Sequence, residues 1–398
     1  MRGTDARAGT AGEVFWVFLR LGLTSFGGPV AHLGYFRDAL VQRRRWLTDA
    51  AYADIVALCQ FLPGPASSQV GMALGLRRAG IAGMLAAWVA FTMPSAVVLV
   101  AFAFGVATWG DLDGAGWLLG LKAAAVAVVA QAVLGMAKSL TPDAPRATIA
   151  AAGMIVVLLV PSTWVQVAVI VAGGLVGLAC LRAPQAEADD VLAFPLSRRT
   201  GAVCLGLFAL LLAGLPVLAA LTGDPTVGLV DLFYRAGSLV FGGGHVVLPL
   251  LESETVTTGL VGHDTFLAGY GAAQAVPGPL FTFAGFLGAS TTVGPTGLVG
   301  AALALLAIFL PAALLVLGVL PFWDRLRRVR PARNALLGIN AVVVGILAAA
   351  LYDPVFTQGV TSAAALALAV AVFIAQTRWK VPAWAAVIGA GVIGQIVL

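Results

Sequence analysis

The hexapeptide Gln60-Phe61-Leu62-Pro63-Gly64-Pro65 is written a second time as Gln274-Ala275-Val276-Pro277-Gly278-Pro279, and the match spreads outward from both copies. Upstream, Phe18-Leu19-Arg20-Leu21-Gly22 corresponds to Phe233-Tyr234-Arg235-Ala236-Gly237, and Phe26-Gly27-Gly28 to Phe241-Gly242-Gly243. Downstream, Gly80 and Gly83 return as Gly294 and Gly297, Phe91-Thr92-Met93-Pro94 as Ile308-Phe309-Leu310-Pro311, and Gly120-Leu121-Lys122-Ala123 as Gly338-Ile339-Asn340-Ala341. Over so long a stretch the register drifts by a few residues, which identifies an internal duplication. Whatever one half folds into, the other must fold into as well.

The solvent of that fold follows from composition. Hydrophobic residues make up 60% of the chain and charged residues 10%, with a mean hydropathy of +0.99. A soluble domain carries about 25% charged residues, so a polytopic all-α membrane protein is expected. The 48 glycines and 20 prolines fit spanning helices. A net charge of +5, with its arginines in short loops, is a topological bias and excludes a nucleic-acid-binding role. Cys59, Cys180 and Cys204 sit in apolar runs without metal-ligand spacing and are expected to be small buried hydrophobes.

Residues 1–12 are expected to be a disordered tail without the pattern of a signal peptide. Repeat 1 is placed at 13–182, a polar linker with one apolar helix at 183–227, and repeat 2 at 228–398. Six apolar segments, one spare and six more give an odd number between equivalent positions, which inverts the second repeat across the bilayer. The first two segments of each repeat carry Gly-Gly or Pro-Gly-Pro near their middles, where helices break. If both turn back as re-entrant hairpins, Arg37, Arg43–Arg45, Arg77 and Arg78 share a side with Lys138, Arg146, Arg182, Arg198, Arg199, Arg325–Arg333, Arg378 and Lys380. Asp111, Asp113, Asp224, Glu252, Glu254, Asp264 and Asp353 then lie opposite. The cation-rich side is cytoplasmic by the positive-inside rule, and the N-terminus with it. Full crossings would instead put Arg43–Arg45 outside, so the re-entrant arrangement is favoured.

Inverted repeats with interrupted helices in matching positions point to a transporter whose substrate sits near the midplane. The half-helix amides at each break carry a partial positive charge suited to an anion. Gly27, Gly28, Gly242 and Gly243, with the turns at Pro63-Gly64 and Pro277-Gly278, would let a ligand approach the backbone. Arg20 and Arg235 occupy matching positions, and Lys122 lies in an apolar run opposite Asn340. Intramembrane cations are costly and are expected to be functional or paired, and no acidic partner for these three is evident. An anionic substrate is therefore expected, bound between Arg20 and Arg235. Gln60 and Gln274, followed by Ser67, Ser68, Gln69 and Thr282, offer further donors. His32 and His263 are expected to be interfacial, and neither they nor His245 receive a role. No catalytic constellation, cofactor motif or metal-ligand cluster is present, so an enzyme is not expected. A membrane sensor or scaffold and a cation transporter are the alternatives.

Phe26-Gly27-Gly28-Pro29 followed by Arg43-Arg44-Arg45-Trp46-Leu47 and Leu62-Pro63-Gly64-Pro65 resembles the chromate ion transporter family in its long, two-domain form. The second copy, Phe241-Gly242-Gly243-Gly244-His245 with Val276-Pro277-Gly278-Pro279, fits the same signature, and the resemblance covers essentially 13–398. It implies efflux of chromate from the bacterial cytoplasm across the inner membrane and chromate resistance, with sulfate as a related anion. A homodimer in the bilayer is compatible with such a chain.

Overall fold

A computed structural model describes residues 9–25, 28–108, 116–160, 163–182, 196–240, 247–323 and 329–398, and all regular structure among them is helical. Repeat 1 begins with α1 (Ala11–Thr24) and α2 (Gly28–Phe36), the latter running into a π-helical turn at Arg37–Arg43. Then come α3 (Asp49–Phe61), α4 (Ala66–Thr108), α5 (Gly116–Leu140), α6 (Ala144–Leu159) and α7 (Thr163–Cys180). The linking helix α8 (Arg198–Thr222) precedes α9 (Pro225–Leu239), α10 (Val247–Thr255) and α11 (His263–Ala275). A 3-10 turn at Leu280–Thr282 leads into α12 (Phe283–Ala289), and α13 (Gly297–Val319), α14 (Arg330–Ala350), α15 (Ala363–Thr377) and α16 (Ala383–Val397) complete the chain.

The sequence breaks are breaks in the structure. Ser25 ends α1 in an extended conformation, and Leu62 does the same for α3. Gly64 and Gly278 then turn the chain with φ of +113° and +105°, a region that favours glycine because it has no Cβ. A further break at Ala79 and Gly80 (φ −144° and +63°) divides α4 into two helices.

The divided segments fold back. Eighteen residues of continuous helix would separate Phe18 from Phe36 by about 27 Å, yet their ring centroids lie 5.4 Å apart. Arg78, at the far end of the second hairpin, bonds Glu13 at the start of α1 (3.1 Å) and stacks over Trp46 in the α2–α3 connection (5.1 Å). The start of α1, the loop before α3 and the end of the first part of α4 therefore share one face, as re-entrant hairpins require. Repeat 2 repeats the arrangement. The Thr292 amide donates to the Leu260 carbonyl at 2.9 Å, and a Cβ at Gly294 would lie 2.8 Å from that of Pro225.

The helices α5, α8, α13, α14 and the second part of α4 are long and apolar enough to cross a bilayer, and α6, α7, α15 and α16 are shorter apolar helices. From Gly80 to Pro225 the chain runs through the second part of α4, then α5, α6, α7 and α8. Counted as five crossings, these helices would place the two hairpin pairs on opposite faces, as inverted repeats require. The core window of α8 has no buried residue, as expected of a connector that faces lipid.

The two repeats are interlocked. α5 packs on α15 and α16 of the other repeat, and α14 packs reciprocally on α6 and α7. Glycines make both crossings: a Cβ at Gly120 would sit 2.1 Å from the Ala390 carbonyl oxygen, and one at Gly338 would sit 2.0 Å from that of Gly173. The same symmetry relates Gly22 on α1, packed against the Ala90 and Phe91 carbonyls, to Gly237 on α9, packed against Ile308.

Candidate substrate site at the crossing of the helix breaks

The four breaks meet. The Gly64 amide of repeat 1 donates to the Val240 carbonyl at the end of α9 (2.6 Å), and the Gly278 amide of repeat 2 donates to the Ser25 carbonyl at the end of α1 (2.9 Å). Ser25 and Val240 are equivalent residues, so each Pro-Gly-Pro turn caps the broken helix of the other repeat. Such exposed carbonyls need a donor inside a membrane protein, and among the described residues the partner repeat supplies it. Gln69 braces the first turn by donating from Nε2 to the Pro63 carbonyl (2.7 Å), and Thr282 bonds the Pro279 carbonyl (2.7 Å).

The lining of this crossing is not symmetric. On the repeat 1 side, Ser25, His32, Ser67, Ser68, Gln69, Thr92 and Ser95 are all buried. His32 joins the Ser67 hydroxyl (Nδ1 to Oγ, 3.3 Å), faces the Ser25 backbone and packs edge-on against Phe91. It is therefore a core residue of the crossing and not the interfacial residue expected, because the α2 hairpin carries it inward. Ser25 Oγ, Ser68 Oγ and Thr92 Oγ1 have no hydrogen-bond partner among the described residues. In repeat 2 the positions equivalent to Ser25, His32, Ser67, Gln69, Thr92 and Ser95 are Val240, Val247, Phe281, Phe283, Phe309 and Ala312, and Ser68 alone keeps a polar equivalent, the buried Thr282.

The cations also differ from expectation. Arg235 is not free of carboxylates: its guanidinium bonds Glu254 on α10 (2.8 Å) and Asp231 one turn earlier on α9 (3.0 Å). Lys122 is 8% exposed and pairs with Asp264 at the start of α11 (2.5 Å). The expectation of cations without acidic partners therefore fails for Arg235 and Lys122, because the hairpins of repeat 2 carry Glu254 and Asp264 to them. The Asp231 pair was visible in sequence as an i,i+4 spacing; the Glu254 and Asp264 contacts were not. Arg20 is exposed on α1 and enters no ion pair among the described residues. Its counterparts to Asp231 and Glu254 are Trp16 and Ala39.

Of the remaining candidates, Gln60 is exposed, while Gln274 is half-buried with an unpartnered Nε2, and Asn340 has a buried Oδ1 without a partner among the described residues. Gly28 opens α2, Pro63 and Gly64 form the first turn, and Pro277 and Gly278 form the second. Gly27, Gly242, Gly243, Gly244 and His245 lie outside the described residues. No group of three potential metal ligands occurs among the described residues.

The chromate transporter family profile matches residues 12–178 and 227–395, one match for each copy of the duplication. A chromate transport protein of Pseudomonas aeruginosa is 30% identical over 348 residues, covering 86% of this chain and 80% of its own length. A chromate transport protein of Cupriavidus metallidurans is 27% identical over 86% of this chain and 82% of its own length. An uncharacterized transporter of Methanocaldococcus jannaschii is 25% identical over 85% of this chain and 82% of its own. No solved structure matches the chain. With both halves matched and a relative 30% identical along most of the chain, this multi-pass membrane protein belongs to the chromate transporter family.

Proposed function

We propose that the chain exports chromate, a tetrahedral dianion, from the bacterial cytoplasm by alternating access at the crossing of the four breaks. The observation that carries this reading is the set of buried, unpartnered hydroxyls around Ser25, Ser68 and Thr92. A buried donor left unsatisfied costs about 1–3 kcal/mol, and a desolvated oxyanion is a partner that would offset it. The start of α4 adds backbone amides and a positive dipole end on the same side. Arg20 lies five residues before Ser25, about 7–8 Å along the helix axis, and its fork-shaped guanidinium suits an oxyanion. Arg235 is already neutralised by two carboxylates, so the anion is assigned to the repeat 1 side, with Arg20 as its principal cation. Sulfate has the same charge and shape and is expected to compete.

Direction follows from energetics. Moving one charge through 100 mV is worth about 2.3 kcal/mol, so a dianion leaving an inside-negative cell gains about 4.6 kcal/mol. In this reading the chain lies in the bacterial inner membrane with its N-terminus and arginine-rich loops cytoplasmic, as two inverted repeats at 13–182 and 228–398. The test is chromate uptake into everted membrane vesicles with an imposed potential. Uptake should rise with interior-positive potential and fall with added sulfate; uptake indifferent to both potential and pH gradient would overturn the export mechanism.

A further inference from the structure

The two repeats agree at the crossings made by Gly120 and Gly338 and by Gly22 and Gly237 but disagree at another interface. In repeat 2, α11 packs along α5 and also touches α16. Gly271 of α11 lies against Leu121, where an added Cβ would sit 3.1 Å from the Leu121 carbonyl oxygen. One residue on, Lys122 bonds Asp264, which joins the two repeats by an ion pair. The symmetry-related interface would pack α3 along α14, and among the described residues these helices make at most marginal contact. There the equivalents of Lys122 and Asp264 are Asn340 and Ala50, and Asn340 Oδ1 is buried without a partner among the described residues. The glutamines report the same difference: Gln60 on α3 is exposed, whereas Gln274 on α11 is half-buried.

A repeat protein that closes one of two equivalent interfaces and leaves the other apart is in one of two related states. We propose that the Lys122–Asp264 pair is the gate on the face of the protein that bears the start of α11, and that the structure is the state closed on that face. The opposite state separates α11 from α5 and packs α3 on α14. Lys122 is then a positioning residue and not a ligand of the transported anion. The asymmetry of the ion pair has a consequence: the equivalent position on the other face carries Asn340 and Ala50 in place of a charged latch, so neutralising the Lys122–Asp264 pair biases the protein toward opening on its own face. This inference rests on the alternating-access reading above, but its test does not require transport.

A single cysteine is placed at Gln274 in a background lacking Cys59, Cys180 and Cys204, and labelled with a membrane-impermeant thiol reagent from the Asp264 face. With the latch intact, labelling should be slow. Lys122→Ala or Asp264→Ala should accelerate it about tenfold or more, and the swapped pair Lys122→Asp with Asp264→Lys should restore protection that either reversal alone removes. Labelling unchanged by the alanine variants, or a swapped pair as reactive as the single reversals, would overturn the gate. As a second variant, Leu121→Cys with Gly271→Cys, whose Cβ atoms would lie 3.3 Å apart across the same interface, near the separation a disulfide needs, is oxidised to a disulfide confirmed by loss of free thiols, and Gln60→Cys is labelled from the opposite face. Cross-linked protein should keep Gln60 reactive and Gln274 protected throughout; a cross-linked protein in which Gln274 still becomes reactive would equally refute it. Chromate flux in the unmodified protein is scored separately: its absence would remove the transport reading while leaving the labelling result interpretable.

Discussion

The Gly64 amide lies 2.6 Å from the Val240 carbonyl, in a contact that joins the turn of one repeat to the broken helix of the other. Its counterpart, Gly278 to Ser25 at 2.9 Å, repeats the contact with the roles of the repeats exchanged. Each repeat thus caps the broken helix of the other, which ties the two halves together at the crossing.

Alanine at either turn should therefore damage both halves. The left-handed φ at each glycine costs an alanine about 1–3 kcal/mol. At Gly278 an added Cβ would also lie 2.8 Å from Ser95 Oγ, whereas at Gly64 the nearest atom is the end of the Gln69 side chain at 3.2 Å. Gly278→Ala should be the more severe, and Ser95→Ala should recover part of its loss but none of that of Gly64→Ala. Thermal unfolding of detergent-solubilised protein measures the order.

Arg20 and Arg235 should respond differently although they are equivalent in sequence. Arg20→Gln should leave thermal stability unchanged and reduce chromate binding about ten- to a hundredfold, the worth of one charge-assisted bond of about 1.5–3 kcal/mol. Arg20→Lys should recover part of it. Arg235→Gln strands Asp231 and Glu254, two largely buried carboxylates, and should destabilise by up to about 3–5 kcal/mol, the cost of breaking a buried pair. Adding Asp231→Asn and Glu254→Gln should restore both stability and transport. Restored stability without transport would return Arg235 to the substrate site.

Orientation is read by cysteine labelling. Arg43 and Asp224 are exposed and lie on opposite faces in the inverted arrangement. With an impermeant reagent outside intact cells, Asp224→Cys should label, and Arg43→Cys should label only after permeabilisation. The reverse pattern would invert the topology, and labelling of both would contradict the inverted, re-entrant arrangement.

Much of this architecture was legible in the chain. Duplication, apolar composition and the four breaks are local or self-comparing properties, because a glycine or proline interrupts a helix wherever it occurs and a repeated motif is its own alignment. The equivalences of Gly22 with Gly237, Gly64 with Gly278 and Gly120 with Gly338 stand in the sequence and reappear as matched contacts. What a linear reading of a duplicated chain obscures is which copy remains polar. The serines and Thr92 of repeat 1 and the phenylalanines of repeat 2 were all in view, but which of them converge depends on two hairpins folding back through the bilayer.

The tertiary structure decided the long-range partners of the charges. Segment counting places Glu254 and Asp264 on the surface opposite the loop arginines but does not say which membrane cation either one meets. Re-entrant folding brings Glu254 to Arg235 at 2.8 Å and Asp264 to Lys122 at 2.5 Å. The physical reason is that burying an unpaired charge in a bilayer is costly, while the partner that relieves the cost is chosen by the path of the backbone and not by distance along the chain. Sequence determined that these cations must be answered; the fold determined that carboxylates answer Arg235 and Lys122 and leave Arg20 unpaired among the described residues.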